Sequence, residues 1–508
     1  MAASNRDRII PTPLWGRMLT ITLLVVFAGF NNCNVNAASV FANCAALQSA
    51  EKSQNQQSIE GIWQGSIDVG AMKLRIVFKI SRGEGGSLRA TMDSPDQGAK
   101  DLALGNVTFK DGTFHAELNA AGASYEGALS QGGSELAGHW TQNGHTVELN
   151  LKRLDKAPET SRPQDPKPPY PYNQEDVAYD NKAAPGVKLA GTLTIPREGG
   201  PFPAVLLITG SGPQDRDEAL MGHRPFLVLA DYLTRHGIEV LRVDDRGIAK
   251  STGNFAASTT EDFATDVMAG IEFLKTRKEV NQKQIGLIGH SEGGIIAPMV
   301  AAKSPDVAFI VMMAGTSLTG EQIIYLQQAL IAKATGATDA EVAKSRALEE
   351  SLFAVLKSEK DNDAARKKIE ALLNQAIAEE KDQDKKPDAA IISAQAKSFA
   401  SPWFRFFAFY DPKPALTKLR CPVLVLNGSN DLQVPPAANL PGIVQALEDG
   451  GNSDYEVDKL AKLNHLFQTS ESGSPAEYSK IDETIAPFAL EIMSNWILRH
   501  TVKPSQHP

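Results

Sequence analysis

Gln284-Ile285-Gly286-Leu287-Ile288-Gly289-His290-Ser291-Glu292-Gly293-Gly294-Ile295-Ile296-Ala297 reads as a strand, a tight turn and a helix in succession. The apolar run 284–288 is short enough for a buried strand, and the apolar stretch from Gly294 to Ala302 is long enough for a buried helix. Between them, Gly289 to Gly293 fits the G-x-S-x-G pattern, which places a serine on a sharp strand-to-helix turn. Five residues match that pattern by chance often, so the flanking elements decide the reading. Glycines on either side of Ser291 remove side chains that would collide with the strand and the helix.

Working outward, apolar runs alternate with helical stretches on both sides of the turn. Strands are expected at 204–208, 240–244, 308–313, 422–426 and 455–460, with helices through 227–233 and about 260–276. This alternation builds a mostly parallel sheet covered on both faces. A long insertion from about 318 to 411 interrupts it. Leu348, Leu352, Val355 and Leu356 share one helical face, as do Ile369, Leu372, Leu373 and Ile377. Charged residues such as Glu349, Lys367, Lys368 and Glu380 are expected on solvated faces. A helical insertion after the sixth strand would lie over the strand ends as a lid. The aromatics Trp403, Phe404, Phe406, Phe407, Phe409 and Tyr410 at its end suit either an acyl pocket or a core.

The chain before residue 173 follows a different pattern. Residues 58–153 hold about eight short alternating runs separated by glycine-containing turns, the signature of a small antiparallel barrel or sandwich. A fused β-domain of this kind suits an accessory or interaction module, or a ligand holder. Pro158, Pro163, Pro166, Pro168, Pro169 and Pro171 make 154–172 an extended, stiff linker. At the N-terminus, Arg6, Arg8 and Arg17 precede an apolar stretch from Met18 to Phe30, and Val35-Asn36-Ala37 offers a small-residue cleavage site. Residues 1–37 therefore read as a secretory signal peptide, which implies a secreted or periplasmic protein with no stable membrane span after cleavage. The apolar stretch falls short of the roughly 18 residues a span needs.

The net charge of −9 leaves no basic domain to neutralise phosphates and argues against nucleic acid as a partner. Of the three cysteines, Cys44 and Cys421 survive cleavage; one disulfide or two free thiols both fit. No Cys/His cluster has metal-ligand spacing, and no cofactor is expected.

A serine hydroxyl needs a base to take its proton, and the base needs an acid to orient it. After such a turn the acid and then the histidine follow in chain order. Of the nine histidines, His115, His139 and His145 fall in the β-domain, His223 and His236 precede the serine, and His500 and His507 lie in the C-terminal tail. His290 adjoins Ser291 but is expected to point away from it. His465 remains, in a loop just past the strand at 455–460. Asp431 follows the penultimate strand, where open parallel sheets place their sites. The oxyanion of a tetrahedral intermediate needs two N–H donors. Glu292 at the start of the turn helix supplies one. Ser211, in the loop Thr209-Gly210-Ser211-Gly212-Pro213, is the candidate for the other.

Taken together, Gly210-Ser211-Gly212-Pro213-Gln214-Asp215-Arg216-Asp217, Asp244-Asp245-Arg246-Gly247, Gly289-His290-Ser291-Glu292-Gly293-Gly294, Asp431 and His465 resemble the α/β-hydrolase superfamily. Within it the chain is similar to the EstD-like bacterial carboxylesterases, which join a small N-terminal β-domain to an α/β-hydrolase domain, here 173–500. Asp93-Ser94-Pro95-Asp96-Gln97-Gly98 in the β-domain fits the same resemblance. It implies Ser291 as nucleophile, His465 as base, Asp431 as its orienter, and small acyl esters as substrates. Thr209 stands where a histidine is usual before the oxyanion glycine, and Ala249 where a glycine is expected. Two alternatives differ in class. A serine peptidase on the same fold would need a charged subsite, for which Glu292 is placed. A non-catalytic binding protein would use the β-domain.

Overall fold

The computed structural model describes residues 58–69, 72–97, 99–142, 145–156, 161–378 and 389–501. The signal-peptide region, Cys44 and Glu380 lie outside the described residues. The chain divides into an all-β unit and an α/β unit that begins near residue 160.

The all-β unit has ten strands: β1 (Gly61–Val69), β2 (Met72–Arg82), β3 (Leu88–Ser94), β4 (Ala99–Ala103), β5 (Gly105–Lys110), β6 (Thr113–Leu118), β7 (Ala123–Leu129), β8 (Glu135–Gln142), β9 (His145–Glu148) and β10 (Leu151–Leu154). They pair in the order β4-β3-β2-β1-β10-β8-β7-β6-β5, with β9 on β8. The two outermost strands are joined by Leu104 alone, so the sheet curls into a barrel-like shape. Inward positions alternate along the strands and bring Phe78, Phe114, Tyr125 and Trp140 together, with the Phe78 and Tyr125 rings edge to face at 5.2 Å. Two more strands form than the sequence pattern predicts. The predicted run at 147–151 splits into β9 and β10, and the exposed β4 has no apolar alternation to reveal it.

The α/β unit holds an eight-stranded sheet: β11 (Asn173–Asp180), β12 (Lys188–Ile195), β13 (Phe202–Ile208), β14 (Glu239–Val243), β15 (Val280–His290), β16 (Phe309–Met313), β17 (Val423–Gly428) and β18 (Tyr455–Leu460). The order is β11-β12-β14-β13-β15-β16-β17-β18. The β11–β12 and β12–β14 pairs are antiparallel, and all later pairs are parallel. This is the α/β-hydrolase arrangement. Along β15 the two-residue period sends Ile285 and Leu287 to one face and Ile288 to the other. Helices α1 (Pro225–Arg235), α2 (Thr260–Lys275) and α3 (Gly293–Ala301) begin the cover.

Among the described residues the insertion forms five helices: α4 (Gly320–Ala334), α5 (Asp339–Ser358), α6 (Asn362–Ala378), α7 (Ala389–Phe399) and α8 (Pro402–Phe409). Threonine capping boxes start α4 and α5. Leu352, Leu356, Ile369, Leu373 and Ile377 are buried in its core, as their spacing predicts. Glu349 departs from the expected solvated face. It is buried on α5, and burial pushes its carboxyl up to about 8. The turn α9 (Lys413–Leu416) and helices α10 (Pro436–Asp449) and α11 (Pro487–Thr501) complete the unit. α1 and α11 cover one face of the sheet; α2, α3 and α10 cover the other.

Much of the expected linker is part of this unit. Gln164 accepts from the main-chain N–H groups of Thr484 and Ile485 and donates to the Ile485 carbonyl. Arg162 donates to the carbonyls of Met221, Ser479 and Ile481. Prolines keep this stretch extended, but its polar side chains complete backbone groups of the loop before α11, so it lies as a strap. Cys421 carries a free, partly buried thiol, which burial pushes up to about 11. Among the described residues, no helix is long and apolar enough to cross a membrane.

Ala249, where glycine is expected, sits at φ 47°. A left-handed conformation costs an L-residue about 1 kcal/mol. Ala249→Gly is expected to raise stability by roughly 0.5 to 1 kcal/mol, read as a higher midpoint in urea unfolding, despite the entropy glycine adds to the unfolded chain.

Candidate active site

Ser291 follows the last residue of β15 and has φ 54°. Its main-chain N–H donates to the Met313 carbonyl at 2.8 Å, which ties the turn to β16. The turn closes only because its flanks lack side chains. A Cβ at Gly289 would strike the Gly293 carbonyl, and one at Gly293 would strike the end of β13. α3 starts at Gly293, so the N–H of Glu292 lies at its positive end, and no hydrogen bond to it occurs among the described residues.

Asp431 and His465 come from the turns after β17 and β18. His465 Nδ1 and Asp431 Oδ2 are 2.9 Å apart, and both side chains are buried. Asp431 is held on every side. Its Oδ1 accepts from the N–H groups of Gln433 and Val434, both at 2.8 Å, and its Oδ2 also accepts from Asn427. This carboxylate can accept from Nδ1–H only, leaving Nε2 of His465 as the free, basic nitrogen. The histidine loop is equally tied. Asn464 Oδ1 accepts from the N–H groups of Leu466 and Gln468, and Gln468 bonds His223. His223 is buried, and desolvation pushes its imidazole down to about 4.

The loop after β13 faces the serine across Gly210, where an added Cβ would lie 3.4 Å from that of Ser291. Like that of Glu292, the N–H of Ser211 has no hydrogen bond among the described residues. The Asp-Asp-Arg-Gly segment after β14 holds this loop. The Thr209 hydroxyl donates to Asp245 at 2.8 Å, and Gln214 N–H donates to the same carboxyl. Thr209, in place of the usual histidine, thus has a structural partner. Desolvation raises the Asp245 carboxyl well above the ordinary range. Asp244 pairs with Arg216 at 2.7 Å.

Two residues sit otherwise than the sequence suggests. The Glu292 side chain, the candidate peptidase subsite, turns into the lid contact. It accepts from Thr260 Oγ1 at 2.6 Å and from the indole N–H of Trp403 at 2.9 Å. The ring of His290 is not directed away from the site: its centroid is 4.9 Å from that of His465. Glu218 was not singled out at all, yet its carboxylate meets both His290 and Gly210. It lies one residue past the Gly210–Asp217 motif, the one signal that could have found it. The lid aromatics divide. Phe404 belongs to the lid core, Phe406, Phe407 and Tyr410 pack against the sheet's core, and Trp403 bridges to the turn.

Comparison with known proteins places these features. The profile of the X-Pro dipeptidyl-peptidase (S15) family matches residues 185–456. The chain is 26% identical over 271 residues to the esterase EstD of Thermotoga maritima, covering 52% of this chain and 54% of that protein. The chain thus spans about half the length of the curated relative it matches. Among solved structures it is similar to the α/β-hydrolase GrgF of Penicillium sp. sh18, at 16% identity and a TM-score of 0.42, over 65% of this chain and all of that one. It is also similar to Est1E of Butyrivibrio proteoclasticus, solved with ferulic acid, at 17% identity and a TM-score of 0.36, over 64% and 100% of the two chains.

Burial raises the Glu292 carboxyl above its ordinary value, with the bonds from Thr260 and Trp403 opposing the shift. Native protein therefore holds this proton more tightly than unfolded chain. The associated stability is full below the unfolded value and is lost as pH rises through the folded one. Glu292→Gln has no such loss, so its melting temperature relative to wild type is expected to climb between about pH 4 and pH 8. Calorimetry across that range checks it; a flat difference would contradict the buried carboxyl.

Proposed function

The chain belongs to the X-Pro dipeptidyl-peptidase (S15) family, and on that premise we propose that it is a serine esterase acting on small carboxylic esters through an acyl-enzyme. The observation that carries this reading is the 2.9 Å His465–Asp431 bond, which leaves Nε2 of His465 free to act as a base toward Ser291. The resemblance to EstD supports the ester class of substrate.

In this reading Ser291 Oγ gives its proton to His465 Nε2 and bonds to the ester carbonyl carbon. The carbonyl π pair moves to oxygen, which the N–H groups of Glu292 and Ser211 receive. One such donor is worth about 2.7–4 kcal/mol in serine hydrolases. The C–O bond to the alcohol then breaks, and His465 returns the proton to the departing oxygen. Water, deprotonated by His465, repeats the sequence on the acyl-enzyme and releases the acid. Asp431 keeps its proton-free form throughout and stabilises the imidazolium.

Peptide cleavage is the second reading, favoured by the name of the family. It needs a group for a peptide terminus, and the Glu292 carboxylate is already bonded to Thr260 and Trp403. Matched ester and amide substrates separate the two: esters are expected to react faster, and faster amide cleavage would reverse the assignment.

Ser291→Ala is expected to abolish fluorophosphonate labelling and to lower kcat on the order of 10⁶-fold. Retained labelling would move the nucleophile elsewhere. Export belongs to the same proposal, supported by Arg6, Arg8 and Arg17 ahead of the apolar Met18–Phe30 stretch. Mass spectrometry of the exported protein is expected to find Ala38 at its N-terminus.

A further inference from the structure

His290 occupies an unusual position for a histidine beside a nucleophile. Its Nδ1 lies 2.9 Å from Glu218 Oε1, and its Nε2 lies 2.9 Å from the main-chain carbonyl oxygen of His465. Both side chains of the pair are buried, at 8% and 7% exposure. A carbonyl oxygen and a carboxylate only accept, whereas a neutral imidazole has one N–H and one lone pair. A neutral ring here would set a lone pair against an oxygen at hydrogen-bond distance. An imidazolium satisfies both contacts. The same Glu218 oxygen also accepts from Gly210 N–H at 2.6 Å, as an ionised carboxylate does. Glu218 is held for this at φ 51°, a left-handed conformation that a non-glycine residue adopts only where its surroundings require it.

We propose that Glu218 and His290 form a buried carboxylate–imidazolium pair that positions the oxyanion loop and the catalytic base as one unit. It rests on the serine-hydrolase reading above. Glu218 fixes the loop through Gly210 N–H, and His290 fixes the base through the His465 carbonyl. Both are positioning residues. The pair carries no net charge, so the loop that receives an oxyanion is anchored without leaving an uncompensated negative charge behind it. The His290 ring also packs beside that of His465, with 4.9 Å between their centroids. The charged groups around His290 are Glu218 on the β13 loop and Asp431 beyond His465; Asp245 lies near both Glu218 and Glu292. Burial opposes the charge on His290, but Glu218, the His465 carbonyl and Asp431 outweigh it and raise its imidazole above the ordinary value.

The test uses the full chain with His290→Gln and Glu218→Gln, each assayed for kcat and KM across pH and titrated with fluorophosphonate. Both variants are expected to label to the wild-type end point. kcat is expected to fall about tenfold or more, with KM changing less than about threefold. A His290→Gln enzyme with wild-type kcat overturns the proposal. Wild type that fails to label overturns the serine-hydrolase reading and this proposal with it. If either variant fails to fold, ¹⁵N-histidine spectra of wild type decide. One ring is expected to remain an imidazolium at about pH 7.5, a unit above the ordinary value. Spectra with every ring neutral at that pH overturn the proposal.

Discussion

A serine held at φ 54° where a strand passes into a helix leaves no room for side chains on the facing turns. Gly289 and Gly293 therefore approach backbone to backbone, and β13, β15 and α3 meet at a point where any Cβ would intrude. The strained conformation costs on the order of 1 kcal/mol and persists because the packed sheet and helix over-determine it. The remaining site geometry depends on this close approach. It aims the start of α3 at the loop after β13 and brings His290 beneath His465.

The site is also notable for acid groups that are hard to keep buried. Asp245, Glu218 and Glu292 lie around the loop after β13; Glu218 and Glu292 are buried and Asp245 is half-buried. They are stabilised differently. Asp245 and Glu292 take bonds from neutral donors, and burial holds both toward the protonated form. Glu218 alone has a cationic neighbour. A carboxyl that is neutral at moderate pH anchors a loop without weakening an oxyanion nearby, whereas an ionised one needs a counter-charge.

How far the sequence reaches can be judged residue by residue. The strands at 204–208, 240–244 and 308–313 were legible because buried parallel strands are continuous apolar runs. β11 was not, since an edge strand of Asn173, Gln174, Glu175 and Asp176 has no apolar signature. β12 has its run broken by Gly191 and threonines that bond internally. The contact between Asp431 and His465 was legible by chain order, because successive strands β17 and β18 are also neighbours in the sheet. His290 and Glu218 were not, since their partnership spans 72 residues and no local pattern encodes it. Glu349 misled for a related reason: helical periodicity describes one face, and α5 packs against α4 and α6 on more than one.

The lid leaves the sheet after β16 and returns at β17, two strands that are hydrogen-bonded neighbours. Its ends are therefore already together, and its length is free to change without disturbing the strands that carry Ser291, Asp431 and His465. Evolution can exchange such an insertion as a cassette, altering which molecules enter while leaving the reaction alone. The indole of Trp403 limits that freedom. A replacement cassette must bring its own donor for the Glu292 carboxyl, or it strands a buried acid one residue from Ser291.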